Sequence, residues 1–479
     1  MNYPMIIYIL GHLLRYEGIF MLLPTITGFI YGEQSAYSFL GVGVITFFIG
    51  LILSCKPPKA KHLYTKDGSV TVALGWIVLT IFGALPFTLC GDIPFYVDAL
   101  FETISGFTTT GASILSDVEA LSHASIMWRS FTHWVGGMGV FVFILSLLPM
   151  IGGSTTQLMK AESPGPSVDK FVPRVKDTAK LLYGIYLVIT LIQVICLLFA
   201  KMPLFDTLTL TFGTVGTGGF GTKNDSLGSY TALQQNIITF FMIISGINYS
   251  FYFLIISKKF KDALHLEEVR WYLGLIFGSV LIITLNTMHL YSGIGETLRH
   301  AFFQVGSIIT TTGYSSVDFN LWPELSKTII IMLMIIGACA GSTAGGFKVS
   351  RMLILLKSAT RELSMMIHPR EIKKIRMDGH VIKPEILQTA HVYLIIYCAL
   401  FLLSILLISV DNFDFTTNFT AVAATFNNIG PGLAGVGPMS NFGIYSTFSK
   451  IVLMIGMLIG RLELYPIMLL LLPATWKRK

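Results

Sequence analysis

The chain has 479 residues, of which 53% are hydrophobic and 12% are charged, and its mean hydropathy is +0.71. The charged fraction is about half of that found in soluble domains, so the composition excludes a soluble globular protein and predicts a polytopic membrane protein. The net charge of +7 is typical of loops that carry an excess of Lys and Arg on one side of a membrane, and it does not indicate binding to nucleic acid.

Apolar stretches of about 20 residues are long enough to cross a lipid bilayer as helices. We predict ten of them, at residues 4–30, 38–55, 70–90, 125–151, 181–200, 234–257, 272–291, 326–357, 388–410 and 447–475. The first contains His12, Arg15 and Glu17 and has no small-residue cleavage site followed by a soluble domain. We therefore interpret it as a retained helix rather than a signal peptide. The predicted fold class is all-α, with about ten transmembrane helices.

The Lys and Arg residues are concentrated in alternate connecting segments. Of the 33 in the chain, 25 lie at residues 56–68, 152–180, 258–270, 348–383 and 477–479. If ten spans alternate across the membrane, all five segments lie on one side, and the positive-inside rule makes that side the cytoplasm. We therefore predict a multi-pass membrane protein with both termini in the cytoplasm.

A short glycine-containing sequence occurs four times, each time after a short apolar segment. The four sequences are FTTTG at residues 107–111, VGTGG at 215–219, ITTTGY at 309–314 and FNNIGP at 426–431. The preceding segments, at about 95–107, 203–213, 296–309 and 414–425, are too short to cross a bilayer. Irregular backbone at membrane depth is tolerated where it is buried in protein or lines water. The pattern therefore predicts four re-entrant loops around one pore.

Backbone carbonyls directed at an axis can replace the hydration shell of a cation, provided that a neighbouring residue adopts an unusual φ angle. We assign that residue to Gly111, Gly218, Gly313 and Gly430. The Thr hydroxyls beside them either brace the loops or bind the ion. The alternative is that Thr and Gly simply pack at helix contacts, as small residues do in membranes. Four occurrences at equivalent positions favour the ion pathway.

Residues 337–348 interrupt what would otherwise be an overlong span at 326–357. Their glycines weaken helical order and free backbone groups that need a partner. We interpret the run as a flexible intramembrane gate, and a kinked helix contact is the alternative.

Arg461 lies in the last span, where a charge costs about 2.5 to 3.5 kcal/mol unless it is compensated. It either faces the pore as a barrier or forms an ion pair, with Glu463 nearby in the sequence. Arg129 is interpreted as an anchor at the membrane interface.

The four loops, the run 337–348 and the sequence GRLE at 460–463 together resemble the TrkH/KtrB potassium transporters, within the superfamily of K⁺ transporters with four pore-loop repeats. The resemblance covers residues 70–479, and the additional N-terminal helices favour the TrkH branch. It implies an N-terminal helix pair at 1–68 and four pseudo-fourfold pore repeats. The repeats are expected at 69–180, 181–270, 271–386, which contains the gating loop, and 387–479.

The resemblance also implies site residues and partners. The backbone carbonyls that bind K⁺ are expected at Thr109, Thr110, Gly111, Gly216, Thr217, Gly218, Thr311, Thr312, Gly313, Asn428, Ile429 and Gly430. The gate residues are expected to be Gly341, Ser342, Thr343, Gly345, Gly346 and Arg461. The expected partners are the lipid bilayer, a second copy of the chain in a homodimer, and a cytosolic nucleotide-binding regulatory subunit of the TrkA or KtrA type. From its basic residues we interpret the segment 370–376 as a candidate docking surface, and a solvated or lipid-facing segment is the alternative.

The function expected from this resemblance is K⁺ uptake across the bacterial cytoplasmic membrane, with K⁺ as the transported ion and no organic cofactor. A secondary transporter that couples K⁺ to Na⁺ or H⁺ is the alternative, and it would require a second ion site. A scaffold or receptor is a third, less favoured class. The sequence has no catalytic triad, HExxH or P-loop pattern, and its five cysteines show no paired spacing, so neither an enzyme nor a disulfide or metal site is predicted.

Overall fold

The computed structural model describes residues 1–59, 63–139, 175–370 and 374–476, and this part of the chain is almost entirely helical. Within it, six helices are long and apolar enough to cross a membrane, and one bent helix pair adds a seventh candidate. The end of the predicted span at 125–151, most of the basic segment 152–180 and the basic tail 477–479 lie outside the described residues. The all-α fold class is confirmed.

The N-terminal helices form a pair that packs against the rest of the protein. Helices Tyr3–Phe20 and Leu22–Tyr31 together make one span of 29 residues, and helix Ser35–Leu53 runs beside it. The two backbones approach closely because small residues face each other. A Cβ on Gly18 would lie only 2.6 Å from the carbonyl oxygen of Gly43. The retained helix predicted at residues 4–30 is therefore part of the packed fold.

Four repeats follow, each with a long first helix, a short helix and a second helix. The first helices are Thr65–Cys90, Val175–Phe199, Glu267–Thr287 and Pro384–Ile408. The short helices, numbered 1 to 4, are Tyr96–Phe107, Leu204–Val215, Ile294–Ile309 and Phe415–Phe426. Each short helix lies at the position where the sequence predicted a segment too short to cross, and each ends at one of the four glycine-containing sequences.

In repeat 1 the described part of the second helix is His123–Gly137. The second helices of repeats 2, 3 and 4 are each interrupted partway through their length. They are Ala232–Ser245 with Tyr249–Ile256, Glu324–Ile336 with Val349–Ile367, and Thr447–Leu462 with Leu464–Leu471. In repeat 2 the two pieces meet at 90°. The sequence predicted an interruption in repeat 3 only, whereas the stretches predicted as spans at 234–257 and 447–475 are interrupted as well. In repeat 2 the Asn248 side chain caps a new helix by accepting from Ser250 N at 2.8 Å, and in repeat 4 Glu463 adopts a positive φ of 60°.

N-terminal caps determine where the second helices begin. Ser122, Thr231 and Ser446 each accept a hydrogen bond from the backbone N–H three residues further on, at 3.3, 3.4 and 3.3 Å. Such caps satisfy backbone donors that have no partner inside the helix. In repeats 1, 2 and 4 the cap positions thereby set the length of the segment between the glycine loop and the second helix.

The remaining regular elements of the described residues are short. Helices Phe260–His265 and Pro473–Trp476 are single turns, and strands Arg376–Met377 and His380–Val381 pair antiparallel. Four 3₁₀ turns lie at Phe319–Leu321, Ser409–Asp411, Ala434–Val436 and Phe442–Ile444.

Candidate functional site

Four loops follow the short helices: loop 1 (108–111), loop 2 (216–219), loop 3 (310–313) and loop 4 (427–430). They lie in the protein interior, and the first three residues of every loop are buried. A buried loop must satisfy its own backbone hydrogen bonds. All four loops do so in the same way.

Each loop begins with the same helix-ending geometry. Thr109, Thr217, Thr311 and Asn428 all have φ = 55°. In each loop the next N–H donates to the carbonyl five residues earlier, at 2.7 to 2.9 Å, which is the longer bond of a Schellman motif. Threonine is an outlier in this left-handed region, and such strain costs on the order of 1–3 kcal/mol and clusters at functional sites. Four copies of one strained conformation make the four loops structurally equivalent.

The four loops touch one another in a closed ring. The contacts, measured from a Cβ built on the loop glycine to the carbonyl oxygen of the next loop, are Gly111 to Gly218 (2.1 Å), Gly219 to Thr312 (2.0 Å), Gly313 to Ile429 (1.9 Å) and Gly430 to Thr110 (2.9 Å). These are closer than any real Cβ approaches an oxygen, so only glycine fits. Because loop 4 meets loop 1, the four loops surround a common axis.

The register of loop 2 differs from the sequence expectation by one residue. The glycines with left-handed φ are Gly111, Gly219, Gly313 and Gly430, at 78, 82, 89 and 99°. Gly219 therefore takes the position that the sequence analysis gave to Gly218, and residues 217–219, not 216–218, match residues 109–111. Two glycines are adjacent in loop 2 because Gly218 packs against the His133 ring, where a Cβ would lie 2.1 Å from Cγ.

Side chains of the loops brace the ring. In loop 1 the Thr108 and Thr110 hydroxyls are 2.8 Å apart, and in loop 3 those of Thr310 and Thr312 are 2.7 Å apart. Asn428 of loop 4 donates from Nδ2 to the Thr110 hydroxyl at 2.8 Å. The asparagine thus links loop 4 to loop 1, and these hydroxyls act as braces.

Residues 337–348, the central loop, lie next to the ring and are not helical. The Gly345 N–H donates to the Thr311 hydroxyl of loop 3 at 2.7 Å. The Cys339 N–H donates to the Gly246 carbonyl, at the interruption of the second helix in repeat 2, at 3.2 Å. The central loop therefore connects one side of the ring to the interrupted second helices.

Arg461 joins three repeats at the level of the central loop. Its guanidinium donates to the Thr343 carbonyl of the central loop at 2.7 Å, to the Gly137 carbonyl at 2.6 Å and to the Gly136 carbonyl. Arg461 belongs to repeat 4, Thr343 to repeat 3 and the two glycines to repeat 1. A side chain that contacts three of four repeats arranged around an axis lies close to that axis.

The Glu463 carboxylate, considered as a partner of Arg461, pairs with Arg351 at 2.6 Å. Arg351 also lies over the Tyr393 ring, with 3.9 Å between the guanidinium carbon and the ring centre. Arg351 therefore forms a partly buried ion pair with Glu463, and Arg461 donates to carbonyls of the central loop and of repeat 1.

The sequence analysis missed Glu268, which holds the central loop from the side. Its carboxylate accepts from the Ala340 N–H at 2.6 Å and from the Ser350 N–H at 3.1 Å. The Lys348 ammonium donates to the Ala344 carbonyl within the loop. An acidic residue in the first turn of an apolar span was the signal available in the sequence, because a buried carboxylate requires donors.

Beyond the ring, the segments after loops 1 and 2 are tied together near the protein surface. The Asn224 amide donates to the Asp117 carboxylate at 2.8 Å, and this hydrogen bond lowers the pKa of Asp117. Asn224 Oδ1 accepts from the Val118 N–H at 2.7 Å. The Asp117 carboxylate therefore stays charged at neutral pH, at an exposed position between two of the four repeats.

Comparisons with known proteins match this chain along its length. The family model TrkH, described as a cation transport protein, matches residues 38–477. The Trk system potassium uptake protein TrkH of Escherichia coli is 36% identical over 464 residues, covering 95% of this chain and 96% of that protein. The TrkG protein of the same system and organism is 31% identical and covers 98% and 97%. The crystal structure of the potassium transporter TrkH from Vibrio parahaemolyticus has a TM-score of 0.89, 31% identity and 100% coverage of both chains.

Proposed function

This chain belongs to the TrkH family of cation transport proteins, a family of transporters rather than enzymes, and from that premise we propose that it takes up K⁺ through the ring of loops 1 to 4. The observation that carries this proposal is the closed contact between the four loops, each in the same left-handed conformation. A ring of equivalent backbone segments offers sets of four carbonyl oxygens around one axis, and such sets can replace the hydration shell of K⁺.

The proposed K⁺ ligands are carbonyl oxygens of residues 109–111 in loop 1, 217–219 in loop 2, 311–313 in loop 3 and 428–430 in loop 4. Each loop has only one left-handed glycine, so few rings of carbonyls stack along the axis. The strained Thr and Asn residues fix the direction of the peptide that follows them. We expect this fixed geometry to favour K⁺ over Na⁺.

We further propose that the central loop and Arg461 form the gate. Support comes from the contacts of the Arg461 guanidinium with carbonyls of repeats 1 and 3, and from the bond between Gly345 and loop 3. A cationic side chain on the axis repels a permeating cation, so K⁺ passes when the central loop and Arg461 move away together. The central loop has glycines with positive φ, Gly337, Gly341 and Gly346, where the backbone can rearrange without Cβ clashes.

Shortening the central loop tests the gate. Deleting residues 341–343 removes the Thr343 carbonyl, which accepts from Arg461, and shortens the obstacle beneath the ring. We expect a higher open probability in single-channel recordings without any regulatory subunit. A deletion variant that keeps the melting temperature of the parent protein in detergent and stays equally closed would rule out this gate.

The orientation and the partners are also proposals. The Lys and Arg bias places both termini in the cytoplasm of a bacterial cell. There we propose a homodimer controlled by a nucleotide-binding regulatory subunit, since the relatives are named as parts of a Trk system. The described residues of the candidate docking segment 370–376 include Arg370 and Lys374, both exposed, and Arg376 of the hairpin. Residues 371–373 lie outside the described part of the chain.

The direct experiment is an uptake assay with the purified protein in liposomes. We expect Rb⁺, which stands in for K⁺, to enter under a gradient and to be displaced by external K⁺ and not by equal concentrations of Na⁺. Uptake that Na⁺ displaces as well as K⁺ would contradict the assignment of the ring as a K⁺ filter.

A further inference from the structure

A buried ion pair lies behind loops 1 and 2. Arg129 and Glu102 are 2% and 1% exposed. The guanidinium contacts one carboxylate oxygen through two nitrogens, at 2.8 Å from Nε and 2.6 Å from Nη2. Glu102 belongs to short helix 1 and Arg129 to the second helix of repeat 1. The sequence interpretation of Arg129 as an anchor at the membrane interface is therefore wrong.

The carboxylate of this pair holds the segment that leaves loop 1. Glu102 accepts from the Ser113 hydroxyl at 3.0 Å and from the Ile114 N–H at 3.2 Å. Ser113 is two residues beyond Gly111, the last residue of loop 1. Glu102 thus binds the segment that follows loop 1 to short helix 1, which precedes the same loop.

The guanidinium of the pair reaches the segment that leaves loop 2. Its carbon lies 4.0 Å from the centre of the Phe220 ring, and Phe220 directly follows Gly219. One helical turn beyond Arg129, His133 accepts from the Phe220 N–H at 3.3 Å through Nε2 and contacts the Gly106 carbonyl at 2.7 Å through Nδ1. Arg129 and His133 therefore fix the position of the segment that follows loop 2 relative to the segment that follows loop 1.

Repeat 3, which lies opposite repeat 1 in the ring, has an uncharged residue at the position equivalent to Glu102. Gln304 precedes Thr311 by seven residues, as Glu102 precedes Thr109. Its Nε2 donates to the Ser315 hydroxyl at 2.9 Å and to the Val317 carbonyl at 3.1 Å. The site behind loop 3 thus uses an amide where the site behind loop 1 uses a carboxylate with a bound guanidinium. Charge-assisted hydrogen bonds are about twice as strong as neutral ones, so the hydrogen bonds behind loop 1 are expected to be stronger than those behind loop 3.

We propose that Arg129 and Glu102 are positioning residues for ion selection: their pair fixes loops 1 and 2 in the geometry that favours K⁺ over Na⁺. The proposal rests on the function proposed above, because it takes the ring as the filter. Selection between two cations of equal charge depends on the number and positions of the carbonyl oxygens. The Arg129–Glu102 pair holds the segments that follow two adjacent loops, so it affects the positions of these oxygens without contacting the ion.

The test uses a double substitution, Glu102→Gln with Arg129→Gln. Removing only one partner leaves an unpaired buried charge, which is strongly destabilising, whereas replacing both partners removes the two buried charges together. The amide introduced by Glu102→Gln retains an acceptor oxygen for Ser113 and Ile114. We expect normal insertion, an unchanged melting temperature and a K⁺/Na⁺ permeability ratio that falls about tenfold, since hydrogen bonds to charged groups are the stronger ones. The ratio is read from reversal potentials under bi-ionic conditions.

Two further variants keep the test decisive. Glu267→Gln with Lys357→Gln neutralises a pair of the same 2.6 Å length that joins two helices of repeat 3, and we expect it to keep the parent permeability ratio. Arg129→Lys keeps the charge and loses the planar fork that stacks on Phe220, and we expect an intermediate ratio. If the double variant does not fold, the permeability ratio of Arg129→Lys provides the test.

A folded double variant, or a folded Arg129→Lys variant in its place, with the parent permeability ratio would overturn the proposal. A parent protein without K⁺ selectivity would instead overturn the proposed function.

Discussion

Replacing Gly313 with valine is expected to abolish K⁺ flux while the protein still inserts into the membrane. Gly313 has φ = 89°, and a Cβ there would lie 1.9 Å from the Ile429 carbonyl oxygen. The side chain must displace the carbonyl that we assign to the ion, and the backbone conformation is unfavourable for valine as well. A barrier higher by about 3 kcal/mol reduces a rate by more than a hundredfold. Rb⁺ uptake into liposomes, normalised to folded protein, measures the loss.

The matched control is Gly278→Val. Gly278 lies in the first helix of repeat 3, is exposed on the outer surface, and has nothing within 4 Å of a built Cβ. We expect this variant to transport at the parent rate, because it makes the same chemical change away from the ring. Normal Rb⁺ uptake by Gly313→Val would disprove the assignment of loop 3 to the ion pathway.

Replacing Arg461 with glutamine is expected to speed K⁺ permeation about tenfold, which corresponds to a barrier lower by about 1.4 kcal/mol. The guanidinium is held by carbonyls of Thr343, Gly136 and Gly137 and places a positive charge near the axis. Glutamine can still donate to one of these carbonyls. It also removes a charge from the middle of the membrane-spanning segment. Conductance and melting temperature are measured on the same preparation.

Arg351→Gln gives the contrasting phenotype. Arg351 pairs with Glu463 at 2.6 Å and lies over the Tyr393 ring, so the substitution removes an ion pair and a ring contact and destabilises the folded protein. We expect a lowered melting temperature and an unchanged conductance per folded molecule. If Arg461→Gln behaved in this way instead, the barrier role of Arg461 would be refuted.

The sequence predicted the four loops because each combines a short apolar segment with a glycine, and a segment that cannot cross the membrane has to turn back. It did not predict the register of loop 2, since two adjacent glycines satisfy the same pattern. The left-handed φ of Gly219, its contact with Thr312 and the packing of Gly218 on His133 distinguish them. A short motif cannot predict the register of a loop when contacts with residues of other repeats determine it.

Contacts between residues that are far apart in the sequence account for other features that the sequence did not predict. Glu102 and Arg129 are 27 residues apart in the chain, and neither periodicity nor hydropathy links them. Glu268 and Ala340 are 72 residues apart. The interruptions at Asn248 and Glu463 lie inside apolar stretches, and a hydropathy window averages over them. A capping asparagine two residues after Gly246 was the local signal that could have indicated the first of these interruptions.

The reversal potential of the purified protein in planar bilayers tests the central claim most directly. With a K⁺ gradient across the membrane, passive permeation through a K⁺-selective ring predicts a potential that follows the K⁺ gradient alone. It should not change when a Na⁺ gradient or a pH gradient is added. A potential that shifts with either gradient in a fixed ratio to K⁺ would contradict passive permeation through the four loops and would indicate a coupled transporter with a second ion site.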